Sequence, residues 1–151
     1  MYQRILVPVD GSSASLQGLR EALSLAKGLN ARVRVLHVVD EFVADPSLGS
    51  GAYYEESVKA LREGGQATLA EAAAFAQAHG TEPETLLIDT IGRRAADVII
   101  EQAREWGAEL IVMGTHGRRG VRRLLLGSDA ELVVRQAPVP VLLVRERAEE
   151  K

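Results

Sequence analysis

The chain has 151 residues, of which 46% are hydrophobic and 26% are charged, and its formal net charge is −3. This length and composition are typical of one compact globular domain and exclude a disordered chain, while the slightly acidic balance excludes a general electrostatic attraction to nucleic acid or to an anionic membrane. The absence of cysteine excludes disulfides, thiolate catalysis and thiolate zinc sites.

Apolar runs in the sequence are short. The longest are Ile5 to Val9 and Val139 to Val144, far below the roughly 20 residues that a membrane-spanning helix needs. No secretory apolar segment precedes the first of these runs. We therefore expect a cytoplasmic protein with neither membrane nor nucleic-acid partners.

Short apolar runs alternate with helical patterns along the chain. Arg4 to Val9 is rich in β-branched residues and stops at Asp10-Gly11-Ser12, which predicts a first strand and a turn. Leucines at helical spacing then predict a first helix ending near Asn30, with Ser12 or Ser13 as its N-cap. The remaining predicted elements are a strand at 33–39, a helix at about 55–78, a strand at 85–88, a helix at 94–106, a strand at 110–113, a helix at 128–136 and a strand at 139–144.

Two stretches interrupt this regular alternation. The segment 42–53 contains Asp45-Pro46 and several glycines, which predicts an irregular connection of the kind that often covers a ligand. The pair Gly64-Gly65 inside the second helix predicts a bend or a frayed turn there, because each glycine costs about 1 kcal/mol relative to alanine.

Five apolar strands alternating with amphipathic helices are typical of the α/β class. They predict a doubly wound, five-stranded parallel sheet with strand order 3-2-1-4-5 and helices on both faces. We expect one domain over residues 1–145 and a charged tail at 146–151. Ligands of such sheets bind beyond the carboxyl ends of the strands, where the strand order reverses.

The strongest motif begins where the fourth strand ends. Gly114-Thr115-His116-Gly117 is followed by nine residues and then by Gly127-Ser128, which opens a helix. Unpaired backbone amides and the helix dipole at that opening suit a phosphate group. The alternative is that the glycines only form turns and that Ser128 and Glu131 form a capping box.

Asp10 lies beyond the end of the first strand, next to the predicted position of this motif. Its carboxylate suits a ribose hydroxyl or a metal-bound water, and the position beyond a strand end favours such a ligand role. The alternative is that it only accepts hydrogen bonds from the start of the first helix.

The pattern Gly-x2-Gly-x9-Gly-Ser, together with ILVPVDGS, LHVVD and APVPVLLVR, resembles the universal stress protein family over nearly the whole chain. The complete loop spacing implies the branch of that family that binds ATP, with AMP or ADP as alternative ligands. Members of the family pair through the edge strand, which implies a homodimer through residues 139–144.

The resemblance also implies roles for individual residues. The adenine and ribose would be walled by Pro8, Val9, Asp10 and Val38, and this wall would continue through Met113 and Gly114. The phosphates would be held by Gly117, Gly127 and Ser128, with Arg118 joining through its amide.

Asp129 departs from the family pattern, in which a small apolar residue is common. A carboxylate beside phosphates is repulsive unless a cation such as Mg²⁺ lies between them, so either Mg²⁺ binds there or nucleotide affinity is reduced. The alternative is that Asp129 only stabilises the first turn of its helix through the helix dipole.

Four arginines lie between the glycines of the motif: Arg118, Arg119, Arg122 and Arg123. This basic cluster suits the oxygens of a polyphosphate or an acidic partner. The alternative is that these residues form a solvated loop tip.

Three functions fit these residues. In the first, ATP orders the arginine-rich loop and the 42–53 connection, and an unidentified protein partner detects the ordered state. In the second, the chain is a dimeric interaction module without a functional nucleotide. In the third, it is a slow ATPase or self-phosphorylating enzyme in which Asp10 or Asp129 positions Mg²⁺. We rank the sensor first, and we predict no catalytic residues because no nucleophile and base are arranged as a known motif.

Overall fold

A computed structural model describes residues 1–41, 51–115 and 126–147. Its strands and helices are β1 (Arg4–Pro8), α1 (Ser13–Leu29), β2 (Arg32–Asp40), α2 (Gly51–Ala78), β3 (Glu84–Thr90), α3 (Ala95–Trp106), β4 (Leu110–Gly114), α4 (Ser128–Gln136) and β5 (Val141–Val144). All strand pairs are parallel, and their order is β3-β2-β1-β4-β5. The predicted doubly wound fold and strand order are confirmed. Within the described ranges, no helix is long and apolar enough to cross a bilayer.

Each face of the sheet carries two helices and its own core. Successive side chains of a strand point to opposite faces, and in β1 both Ile5 and Leu6 are completely buried. Ile5 packs in the core formed with α1 and α2, whereas Leu6 packs in the core formed with α3 and α4. Burial on both faces explains why the strands are nearly continuous apolar runs.

Strand β5 is shorter than predicted. It begins at Val141 rather than at residue 139, because Pro140 has no N–H group to donate to the ladder. The Pro140 carbonyl still accepts a hydrogen bond from the Ile111 N–H at 3.0 Å, so the chain meets the sheet one residue before the strand starts. Glu146, which the sequence assigned to the tail, accepts a hydrogen bond from the Ser13 hydroxyl at the start of α1.

Helix α2 differs most from its prediction. It begins at Gly51, so its first turns occupy part of the connection predicted at 42–53; residues 42–50 lie outside the described residues. The helix continues through Gly64-Gly65, so the predicted frayed turn is wrong, whereas the bend stays a prediction. Gly65 is buried where α2 crosses β2 and β3, and a Cβ built on it would lie 2.8 Å from side-chain atoms of both His37 and Leu87. Close packing, and not a break in the helix, explains this glycine.

The amino edge of the sheet is formed largely by charged side chains. The Arg34 guanidinium lies over the ring of Trp106, 4.6 Å from its centroid. Glu84 pairs with Arg32 at 2.7 Å and with Arg34 at 3.7 Å. Those residues that the sequence assigned to a ligand and that the structure describes lie toward the opposite, carboxyl ends of the strands.

Candidate functional site

Three segments of the chain meet at the carboxyl edge of β1 and β4. The start of α1 touches the end of β4 so closely that a Cβ built on Gly114 would lie 2.7 Å from the carbonyl carbon of Ala14. Beyond β4, the Thr115 N–H donates to the Val144 carbonyl at 3.0 Å, and the Thr115 carbonyl accepts from the Gly127 N–H at 2.8 Å. These contacts bring the start of α4 back to the end of the strand that the glycine motif leaves.

The starts of α1 and α4 are built differently. In α1 the Ser12 hydroxyl oxygen accepts a hydrogen bond from the Ser15 N–H at 3.1 Å, which caps the helix. In α4 the N-cap residue is Gly127, and no side chain makes a cap hydrogen bond. The alternative of a capping box is therefore wrong, because Ser128 is already the first helical residue. The first backbone N–H groups of α4 therefore have no N-cap side chain to accept from them, at a helix end that carries roughly half a positive charge.

Asp129 makes a contact that the sequence did not indicate. Its Oδ1 accepts a hydrogen bond from the Ala96 N–H in the first turn of α3 at 3.3 Å. Arg94, the N-cap residue of α3, provides no side-chain cap of its own. The Asp129 carboxylate thus lies in the first turn of α4 and also accepts a hydrogen bond from the first turn of α3. Within the described residues, no three histidine or acidic side chains converge as a metal site built from protein alone would require.

Asp10 uses one carboxylate oxygen to hold the turn that leads into α1. Its Oδ1 accepts a hydrogen bond from the Ser12 N–H at 2.9 Å, an Asx turn that leads into α1. Among the described residues, no donor reaches Oδ2. The predicted hydrogen bond with the start of the first helix is therefore present, and because it uses one carboxylate oxygen it does not conflict with a ligand role for the other.

The predicted apolar wall divides between the two faces of the sheet. Val38 is half-buried and Met113 is buried, and both pack in the core formed with α3 and α4. Strand alternation places Pro8 on that same face. Val9 is only 6% exposed and its side chain packs in the opposite core, so only its backbone can reach the site. Gly117 and the basic cluster at Arg118, Arg119, Arg122 and Arg123 lie outside the described residues.

Ion pairs hold the neighbouring ends of β2 and β3. Arg62 of α2 contacts Glu41 at 2.7 Å and Asp89 at 3.2 Å. The hydrogen bond with Glu41 and the charge of Asp89 raise the pKa of the Arg62 guanidinium. The Gly92 N–H donates to Asp40 at 3.2 Å. These contacts fasten both strand ends beside the site.

Sequence reasoning missed two polar side chains behind Asp10. The Nδ1 of His37 lies 2.8 Å from the Val9 carbonyl oxygen. Ser15 was not singled out, yet its hydroxyl oxygen lies 3.3 Å from the Asp10 backbone nitrogen. The sequence could have indicated both contacts. Each residue is polar and occupies a core-facing position of its strand or helix, and a buried polar group needs a hydrogen-bond partner.

Comparisons with known proteins agree on one family. The model of the universal stress protein family matches residues 1–145. A universal stress protein of Methanocaldococcus jannaschii is 38% identical over 152 residues, which cover 99% of this chain and 86% of that protein.

Two solved structures of similar fold contain adenine nucleotides. A universal stress protein in complex with cAMP is 26% identical, with a TM-score of 0.71, and the match covers 97% of this chain and 99% of that one. The universal stress protein from Archaeoglobus fulgidus in complex with dAMP is 26% identical, with a TM-score of 0.66, and the match covers 95% of this chain and 98% of that one.

Proposed function

Because the chain belongs to the universal stress protein family, we propose that it binds an adenine nucleotide at the carboxyl ends of β1 and β4 and signals a stress response through the bound state. The observation that carries the proposal is the start of α4. It has no side-chain cap, and the hydrogen bond from Gly127 to Thr115 holds it against the end of β4. A phosphate is the acceptor that such a helix start accommodates best.

The surrounding residues fit the rest of a nucleotide. Pro8 and Val38, which are both partly exposed, would offer an apolar surface for adenine on the face that carries α3 and α4, and Met113 lies buried in the core of the same face. The Oδ2 of Asp10 suits a ribose hydroxyl, because a carboxylate is a strong acceptor. The amide of Ser128 would hold phosphate, and Gly127, whose own N–H donates to the Thr115 carbonyl, would let the backbone approach the phosphate closely.

The glycine spacing supports three further contacts in this proposal. Gly114 and Gly117 would let the backbone approach the ligand, and the amide of Arg118 would contribute a donor.

ATP is the nucleotide that we propose, with AMP and ADP competing for the same site. The cAMP and dAMP of the similar proteins support a ligand that carries adenine and a phosphate group, and the full glycine loop supports a longer phosphate chain. Mg²⁺ would accompany ATP and offset the charge of Asp129. We place this signalling in the cytoplasm, consistent with a chain that has no cysteine.

Nucleotide addition should raise the unfolding midpoint. At about ten times its dissociation constant, Mg-ATP should add roughly 1.4 kcal/mol to the free energy of unfolding of the wild type. Gly117→Val should abolish this gain and Asp10→Asn, which keeps the acceptor for the Ser12 N–H, should reduce it. Glu71→Gln, an exposed change in α2, is the control and should behave as the wild type does. An unshifted wild-type midpoint with Mg-ATP and with AMP would refute the nucleotide site.

Strand β5, at the side of the sheet, has exposed apolar residues that support a homodimer. They also support the second candidate function, a dimeric interaction module. Leu142 of β5 is 38% exposed, and Val134 of the adjacent α4 is 47% exposed. An open edge strand of this composition pairs readily with a copy of itself. We propose that residues 139–144 form the dimer contact.

Sedimentation velocity tests this contact. The wild type should sediment as a dimer, and Leu142→Asp should shift it to a monomer, because a charge would be buried in the pairing surface. Ile91→Asp, at an exposed apolar residue beyond β3, is the matched control and should remain dimeric. A monomeric wild type, or a dimeric Leu142→Asp protein, would contradict the proposed surface.

A further inference from the structure

The peptide unit that joins Val9 to Asp10 is held by side chains on both of its sides. Its carbonyl oxygen lies 2.8 Å from Nδ1 of His37, and its N–H points to the hydroxyl oxygen of Ser15 at 3.3 Å. Because a carbonyl oxygen can only accept, the Nδ1 of His37 must carry the proton of this bond. The Val9 N–H donates to the Leu36 carbonyl at 2.8 Å, so the chain is still anchored to β2 where β1 ends.

Ser15 connects this peptide to the Asp10 side chain. Its hydroxyl donates to the Ser12 carbonyl at 3.0 Å while accepting from the Asp10 N–H, and its own N–H donates to the Ser12 hydroxyl oxygen at 3.1 Å. The Ser12 N–H in turn donates to Oδ1 of Asp10. The backbone and the carboxylate of Asp10 are therefore fixed by one closed set of hydrogen bonds.

Burial makes these two side chains difficult to replace. Ser15 is 6% exposed, so solvent has little access to its hydroxyl. His37 is half-buried between the end of β1 and α2, where a Cβ built on Gly65 would meet its ring at 2.8 Å. Water cannot readily substitute for either partner without movement of α1 or α2.

We infer that Ser15 and His37 are positioning residues that fix the orientation of Asp10 toward the ligand, an inference that rests on the proposed nucleotide site. Neither side chain needs to touch the nucleotide. A binding group must be held within about 0.5 Å of its productive position, and the two hydrogen bonds restrict rotation of the Val9–Asp10 peptide. Because the Ser12 N–H occupies Oδ1 of Asp10, Oδ2 is the oxygen directed to the ribose.

Titration calorimetry with AMP and with Mg-ATP tests the inference. Ser15→Ala and His37→Leu should each weaken nucleotide binding about tenfold, the order expected when a preorganising hydrogen bond is lost. His37→Asn should restore most of the affinity, because its amide nitrogen occupies nearly the same position as Nδ1. Thermal midpoints measured without nucleotide confirm that each variant is folded.

Matched controls separate positioning from a general loss of hydrogen bonding. His79 makes the same kind of contact, from Nδ1 to the Phe75 carbonyl at 2.7 Å, but near the end of α2. Ser24 is an exposed serine of α1. His79→Leu and Ser24→Ala should both bind as the wild type does. In an Asp10→Ala background, Ser15→Ala should cause no further loss, because both residues would act through the same carboxylate.

Amide hydrogen exchange without nucleotide supplies a second readout. The Asp10 and Ser12 amides should exchange faster in Ser15→Ala and in His37→Leu than in the control variants. If the wild type binds nucleotide and Ser15→Ala binds it equally well, the inference is overturned while the proposed function stands. If the wild type binds neither nucleotide, the proposed function fails and the inference fails with it, and faster exchange would then show only that Ser15 and His37 hold the Asp10 peptide.

Discussion

Gly114→Ala is expected to lower the free energy of unfolding by about 3 kcal/mol, toward the upper end of what overpacking usually costs. The new Cβ would lie 2.7 Å from the Ala14 carbonyl carbon and 2.8 Å from its oxygen. These are backbone atoms of α1, so relief requires the whole helix to move away from β4. The same movement would displace Asp10 and the start of α1, and we expect nucleotide binding to be lost as well.

Chemical denaturation of the wild type and of two glycine variants measures this effect. Gly28→Ala is the control, because a Cβ built there meets nothing within 4 Å and alanine is favoured over glycine in a helix by up to about 1 kcal/mol. A Gly114→Ala protein as stable as the wild type would show that α1 is not locked against β4. In that case the first glycine of the motif would be required only by the ligand.

Adjacent glycines in α2 should respond in opposite directions to the same substitution. Gly64→Ala should stabilise the protein by up to about 1 kcal/mol, because the site is open and alanine is the better helix former. Gly65→Ala should destabilise it by about 2 kcal/mol in spite of the same helix preference. Its Cβ would meet His37 and Leu87 at 2.8 Å and Val39 at 3.0 Å.

The contact between Gly65 and His37 means that the two alanine variants also report on the end of β1. Leu87 can move its terminal methyl, but the His37 ring is tied to the Val9 carbonyl, so the strain should reach the end of β1. Thermal and urea unfolding of both variants measure the difference, which should be about 3 kcal/mol. Equal stability of the two proteins would refute the close crossing of α2 over β2.

Local patterns predicted the fold well, because burial on both faces of the sheet makes each strand a distinct apolar run. They failed where a distant contact decides the structure. Gly65 reads as a helix breaker until β2 and β3 are placed beneath it. Pro140 reads as part of an apolar run, although it has no N–H to donate, and β5 starts only after it.

The candidate site was predictable in its location but not in its supporting contacts. Spacing alone placed Gly114, Gly127 and Asp10 at one edge of the sheet. For Asp129 the sequence suggested Mg²⁺ binding, reduced nucleotide affinity or stabilisation of its own helix start, and it did not indicate the hydrogen bond from the Ala96 N–H, 33 positions away. The bond between His37 and Val9 joins residues 28 positions apart. Contacts of this range depend on the assembled sheet and have no local pattern.

The location of Trp106 determines what intrinsic fluorescence can report. It is the single tryptophan of the chain, and it lies at the amino ends of the strands beneath the Arg34 guanidinium. The length of the sheet separates its indole from the proposed nucleotide site. Its emission should follow loss of the core between the sheet and α3 and be nearly insensitive to occupancy of the site. The chain thus carries a built-in optical probe of unfolding, and ligand binding requires a separate label.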